Sequence, residues 1–423
     1  MAAGVEFGVM SPVVFPAPDY RTAAASVAAL FRRLDLDPDN PLGRWIRPGM
    51  TVVIKPNWVK HEFGDTAGRH VLYTDASLLR PLIDAALRAL AGDGRVYVAD
   101  APLQGCDFAR LRRQSGLAEM ERDYARAPVA FLDLRQRWAE IDDASSYVRA
   151  VHALPGDPNG YSLVDLGARS RLACFGMHPH FGVTDYDTGT TNGHHQGSHR
   201  YLVSNTVLNA DVILNVPKLK THMKTGMTGA LKNFVGIIGS KDFLPHFRPG
   251  SPRSGGDEYP DENWLSRAAA PVRELLQTRA PLWLWRLARA GATAASMPLI
   301  HGGGWYGNDT LWRTIHDLVD IARNHGKPRT ILTLVDAIVA GEDCGPLKPR
   351  AKACGVLVWG EDPGAVDVTC ATLMGFDWRR IPLLSHLCDP EARAFTSFEG
   401  EPPAGPAGEP FAPPVGWAGK IEL

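Results

Sequence analysis

Half of the 14 histidines fall between residues 178 and 246, and five of the eleven lysines fall between 218 and 241. That stretch reads NVPKLKTHMKTGMTGALKNFVGIIGSKDFLPHFRPG. Its pattern predicts a strand end, a basic turn at PKLKTH and a Gly-punctuated helix beginning near Gly226. A helix N-terminus presents unpaired N–H groups and a partial positive charge, and Lys218, Lys220, Thr221 and Lys224 beside it would reinforce anion binding. A phosphate, a carboxylate or an enolate-like oxygen is the natural guest. Lys232 and Asn233 lie inside the apolar helical run. Either Lys232 faces solvent, or it turns inward and donates to a substrate, which offsets its desolvation only if the guest is anionic.

Metal binding is the competing chemistry. His194, His195 and His199 lie in TTNGHHQGSH, where Gly193 and Gly197 favour a loop over a helix. His199, His222, His246 and Asp257 are the candidate ligands of a mixed nitrogen and oxygen site, with Glu258 beside them, of a kind that suits iron, zinc or manganese. No GxxxxGK[ST] loop and no GxGxxG after a strand is present, so neither an ATP nor an NAD motif is read. No GxSxG or Cys–His arrangement marks a covalent hydrolase.

The elements that must position these residues are short apolar runs ending in polar motifs. TVVIK (51–55) leads into Pro56 and Asn57, RVYVA (95–99) into Asp100, DVILNV (211–216) into PKLKTH, and TILTLV (330–335) into Asp336. Such runs suit central parallel strands, buried on both faces, and GVLVWG (355–360) is a fifth of the same kind. Helices alternate with them: Asp309 to His325 with Asn308 or Asp309 as cap and Gly326 as stop, and Pro363 to Met374 capped by Asp362. A third, near Ser77 to Ala91, has Pro81 in its first turn or is kinked by it. The fold class is α/β, a mainly parallel layered sheet flanked by helices, with a helical insertion. Ligands in such sheets bind beyond the carboxyl ends of the strands, so Lys55, Asn57, Asp100, Lys218 and Asp336 are expected to converge there.

Residues 1–390 read as one large α/β domain, or as two lobes of about 1–210 and 211–390. A helical insertion spans 264–300, and 391–423 is a Pro/Gly-rich tail that follows the surface or stays disordered. Within the insertion, PLWLWRLARAGATAASMPLI carries Arg286 and Arg289 near its centre, against a spanning helix. It reads as an amphipathic helix packing Trp283, Leu284 and Leu287 on the body with Trp285 at the margin, as a buttress or a lid, with weak interfacial membrane contact as the alternative. The 45 basic and 46 acidic residues nearly cancel, which leaves no footprint for nucleic acid. No export signal is read at the N-terminus. The six cysteines are far apart, without a CxxC pair, and imply a cytoplasmic chain with reduced thiols and no iron–sulfur cluster.

KPNWV, NVPKLKTH with GALKNFVG, KDFLPH to GGDEYP, GGGWYGNDTLWRT, and VDAIVAGEDCGP with EDPGAVDVTCATLMGFD together resemble the family termed domain of unknown function 362, over roughly residues 50 to 390. Some of its members carry a ferredoxin-like module, for which this sequence has no cysteine motif. The resemblance singles out Lys55, Asn57, Lys218, Lys220, Thr221, His222, Lys232, Asn233, Asn308, Asp309, Arg313, Asp336, Glu342 and Asp367. By chemical type, His222, Lys232, Asp336 and Glu342 are the catalytic candidates. Lys55, Asn57, Lys218, Lys220, Thr221, Asn233, Asn308 and Arg313 are the substrate-binding ones. Asp309 also reads as a cap, and Asp367 as part of an exposed helix face. The expected function is an enzyme acting on a small anionic metabolite in biosynthesis, metal-dependent or oxidative; the alternative is a non-catalytic anion- or metal-binding scaffold.

Overall fold

The computed structural model describes residues 11–61, 71–142, 147–176, 181–183, 193–195, 197–261, 281, 283–287, 302–398 and 408–423. Apolar runs with β-branched residues pair as parallel strands in its centre: Thr330–Glu342 beside Val212–Val216, then Thr51–Pro56, Arg95–Asp100 and Val129–Asp133. Val13–Pro16 and Arg350–Gly360 close the other side antiparallel, which completes a mixed, mostly parallel sheet. The run GVLVWG is therefore a strand, but an antiparallel one. Only a short turn separates it from the preceding strand, so the chain has no room for a crossover.

Side chains alternate along the strands into two cores. Val53, Ala99, Ile213, Ile331 and Val335 face one, and Val52, Ile54, Val96, Val98, Leu214 and Leu332 face the other. The Leu311–Asn324 helix covers the first core and the Ala76–Leu90 helix the second. The N-cap of the former is Thr310 rather than Asn308 or Asp309; Asn308 Oδ1 accepts the N–H groups of Thr310 and Leu311 in the turn that leads into it. Asp362 accepts from Gly364 and Ala365 to open the Pro363–Leu373 helix, and Gly375 at φ +77° follows it. Pro81 lies inside the Ala76–Leu90 helix, one turn beyond the first.

The basic turn is instead a strand, Lys218–His222, fully buried and parallel to the far half of Thr330–Glu342 beyond a register shift. The reason is Pro217, whose carbonyl accepts the Asp336 N–H and lets the chain rejoin the same long strand one step on. The expected helix near Gly226 is likewise a strand, Gly226–Thr228, antiparallel to Lys218–His222. Gly226 at φ +78° turns the chain, and the helix begins only at Ala230.

Most of the 264–300 insertion, and with it the lid, lies outside the described residues. In the helical turn at 283–287, Trp285 is 6% exposed while Trp283 and Leu287 are 67% and 64% exposed. The expected orientation is thus reversed, since Trp283 and Leu287 are one turn apart on the face opposite Trp285. The last stretch also differs from expectation. Phe411, Trp417 and Ile421 are buried in the first core, because three large apolar side chains outweigh the Pro/Gly content around them. None of the described helices is long and apolar enough to cross a membrane, and all six cysteines are free thiols.

Candidate functional site

The strands Thr51–Pro56 and Arg95–Asp100 end side by side, and their last residues begin a polar network beneath a pocket. Lys55 Nζ donates to Asp100 Oδ1 at 2.6 Å, and Asp100 Oδ2 accepts the Trp58 N–H at 2.8 Å. Asn233 joins the strands from above: its amide donates to Lys55 O and Asn215 Oδ1, while its Oδ1 accepts from Asn57 at 3.1 Å. Asn57 Oδ1 in turn accepts from Lys220 Nζ at 3.2 Å, and Lys220 also donates to Leu72 O at 2.6 Å. Buried groups satisfied in this way hold one another in a single arrangement. Burial pushes the Lys55 ammonium below the usual lysine range while Asp100 pulls it back. Lys220, buried and facing Lys232 and Lys218, is pushed well below that range.

A second buried group lies at Asp336. Its carboxylate accepts from Tyr20 Oη at 2.9 Å, Lys218 Nζ at 3.0 Å and the Asp75 N–H at 3.1 Å. Those three donors leave it tied to the N-terminal segment, the Lys218–His222 strand and the start of the Ala76–Leu90 helix. Burial first and the Asp336 charge second hold the Tyr20 hydroxyl protonated, far above the usual phenol range.

The pocket above the first network has a volume of about 250 Å³. Its wall includes Asn57, Asp100, His222, Lys224, Thr228, Lys232, Asn233, Lys241 and His246, with Leu103, Leu244, Leu311 and Leu347 as apolar surface. It therefore opens at the carboxyl ends of the parallel strands, where α/β sheets bind ligands. Asp100 is the one carboxylate among the described residues that line it, and Lys55 already neutralises it. Three lysines give the pocket an anionic preference. Lys232 is half-buried and lines the cavity.

His222 and His246 have their ring orientations fixed from below. His222 Nδ1 accepts the Lys224 N–H at 3.1 Å, and His246 Nδ1 faces Leu244 O at 2.8 Å. Asn308 Nδ2 donates to His246 O, which ties the turn before the Leu311–Asn324 helix to the site. Burial, followed by the nearby lysines, lowers both imidazoles well below the ordinary histidine value, so both are uncharged at neutral pH. Thr228 Oγ1 is buried in the same wall with no hydrogen-bond partner among the described residues.

Of the residues expected to converge at the strand ends, Asn57 and Asp100 line the pocket and Lys55, Lys218 and Asp336 do not; of the neighbouring candidates His222 lines it and Lys220 does not. The three lysines lie beneath the surface, because each finds its acceptors inside the sheet layer. Asn57, Lys232 and Asn233 do reach the pocket, and Asn308 supports it through His246. Thr221 donates to Asp343 O, Arg313 pairs with Asp309 and Glu342 binds Arg350, Lys352 and the Ala412 N–H, all away from it. Asp367 is not on an exposed face: fully buried, it accepts the N–H groups of Ala230 and Leu231 and fixes the start of the helix that carries Lys232 and Asn233.

The four candidate metal ligands are not gathered. Asp257 is occupied by the Arg248 and Asp309 N–H groups and the Thr310 hydroxyl, and His199 packs against His194 in a hairpin outside the pocket wall. Among the described residues no three His, Cys, Asp or Glu side chains group to hold a metal ion. Three lysines around His222 and His246 would also repel one. Sequence reasoning passed over Lys241 and Thr228; the first sits in the same lysine cluster, whereas nothing in the sequence marks an orphaned hydroxyl.

No curated protein is matched by this chain. Residues 165–372 match the family model described as Domain of unknown function (DUF362), a span that holds His222, Lys224, Lys232, Lys241 and His246 but not Lys55, Asn57 or Asp100.

Proposed function

We propose that this protein is an enzyme that binds a small anionic metabolite, bearing a carboxylate or phosphate, in the pocket at the carboxyl ends of the parallel strands. The observation that carries the reading is the charge of the wall. Lys224, Lys232 and Lys241 meet there with two uncharged histidines, and Asp100 is spent on Lys55. Apolar side chains supply the remaining surface and keep the local dielectric low, which strengthens each contact to an anion. The cavity of about 250 Å³ suits a metabolite rather than a polymer or a dinucleotide. The uncharged imidazoles support an enzyme over a scaffold that merely retains an anion, since neutral histidine both accepts and donates protons. A cytoplasmic setting fits the six free thiols.

Calorimetric titration with inorganic phosphate and with small carboxylates tests the binding step. Affinity is expected to fall with rising salt, and Lys224→Gln and Lys232→Gln are each expected to weaken it about tenfold or more, as loss of a charge-assisted hydrogen bond of ~1.5–3 kcal/mol implies. Binding that ignores both substitutions would remove the pocket as the site.

A second contact rests on a separate observation. Trp283 and Leu287 are exposed one turn apart, and residues 275–308 contain three arginines and no acid. That combination fits weak contact with an anionic membrane surface.

A further inference from the structure

The two pocket histidines are held in opposite tautomers. A backbone N–H points at His222 Nδ1, so that nitrogen carries the lone pair and the ring proton sits on Nε2. A backbone carbonyl faces His246 Nδ1, so that nitrogen carries the proton and the lone pair is on Nε2. Both rings line the same cavity. One presents a proton acceptor to a ligand, and the other a hydrogen-bond donor.

We infer that His246 and His222 form a base–donor pair that relocates a proton on a small oxo or hydroxy acid; this deepens the anion-binding reading and rests on it. His246 Nε2 takes a proton from carbon or oxygen of the bound acid and becomes imidazolium. The electron pair left behind settles on an oxygen that accepts the His222 Nε2–H. A neutral imidazole is suited to that role because it polarises an oxygen without giving up its proton. The same proton then returns from His246 to the substrate at a neighbouring atom. Atoms and electrons balance within the substrate, and no oxidant or co-reactant enters. Thr228 Oγ1, buried in the wall without a partner among the described residues, supplies a further hydroxyl for a polar group of the acid.

The anion is also what makes His246 basic. Without a ligand, Lys224 and Lys232 oppose its protonation, second only to burial. A carboxylate or phosphate seated on those lysines offsets their charge and brings the imidazole back toward the range where general bases work. The pair is thus idle until a substrate of the right charge arrives.

Selective 15N-histidine labelling of the full chain, read by long-range 1H–15N correlation and assigned with His222→Gln and His246→Gln, tests the arrangement. The expected lone-pair nitrogen is Nε2 in His246 and Nδ1 in His222, with neither ring protonating in the range where an ordinary histidine does. Matching tautomers, or a titration near the ordinary histidine value, overturn the inference. Wild-type protein treated with diethyl pyrocarbonate and mapped by mass spectrometry gives a check free of variants. His246 is expected to be acylated and His222 spared, with phosphate protecting His246, and labelling of His222 in preference to His246 overturns the pair. Absence of phosphate binding by calorimetry, with the tautomers as stated, would instead remove the anion-binding reading.

Discussion

Lys55 Nζ lies 2.6 Å from Asp100 Oδ1, with the side chains 0% and 5% exposed, at the point where two neighbouring strands end beneath the pocket. A buried pair of this kind costs much desolvation, and its loss on one side is worse than its presence. Lys55→Met, which strands Asp100, is expected to cost about 3–5 kcal/mol in urea denaturation. Lys55→Met combined with Asp100→Leu should recover a large part of that. A double variant as unstable as the single one would show that the pair's geometry, rather than its charge balance, holds the strands.

Gly236 gives a second, local way to disturb the same pair. A Cβ there would overlap the Asp100 carboxylate and crowd Lys55 Nζ. Gly236→Ala is expected to cost ~1–3 kcal/mol, the range of overpacked interiors, and to weaken anion binding because Asp100 and Asn233 share the pocket wall. Stability and affinity unchanged from wild type would contradict the contact.

Asp367 carries a pH dependence whose sign is opposite to that of an ordinary paired carboxylate. Burial raises it to about 7, against the help of the Ala230 and Leu231 N–H groups. Between about pH 4 and 7 the folded state therefore binds this proton more tightly than the unfolded chain does. Its contribution is greatest below the unfolded value and is lost as pH rises through the folded one. Measured as the stability difference between wild type and Asp367→Asn, that contribution should decline across the window by up to about 4 kcal/mol, three units at 1.36 kcal/mol each. A difference that stays flat with pH would show that Asp367 is ionised throughout.

Trp285 and Trp283 are separated by a single residue and predicted to behave differently. Trp285→Ala should cost about 3–5 kcal/mol, as a buried aromatic does, and Trp283→Ser within about 0.5 kcal/mol of nothing. In co-sedimentation with vesicles of phosphatidylcholine and phosphatidylglycerol, wild type should pellet weakly and Trp283→Ser with Leu287→Ser should not. Wild type that remains in the supernatant at low salt would end the membrane reading.

The parallel strands were legible because full burial leaves a continuous apolar run, and Asp362 and Gly375 bracket their helix as capping chemistry requires. The Lys218–His222 strand was not. A lysine every second residue reads as a solvated turn until the carboxylate of Asp336 and the carbonyl of Leu72, each more than 100 residues away, are seen to receive them. Such acceptors come from tertiary structure, which periodicity does not encode. His222, Lys232 and Asn233 were found by type and clustering. The role of His246 depended on which carbonyl its ring met, and Asp367 reads as a surface residue because the N–H groups that it binds, those of Ala230 and Leu231, come from a distant part of the sequence.

The docking of Trp417 sets a timetable for the site. Its indole donates to Met223 O, next to His222, across 194 residues of chain, and packs against Gly226. On a ribosome adding ~5–20 residues per second, the histidine-bearing hairpin waits roughly 10–40 s for the segment that backs it. During that interval a lysine-rich strand pair has emerged without its wall, so nascent chains of this protein pass through a stage with the pocket's charge already present and its shape not yet closed.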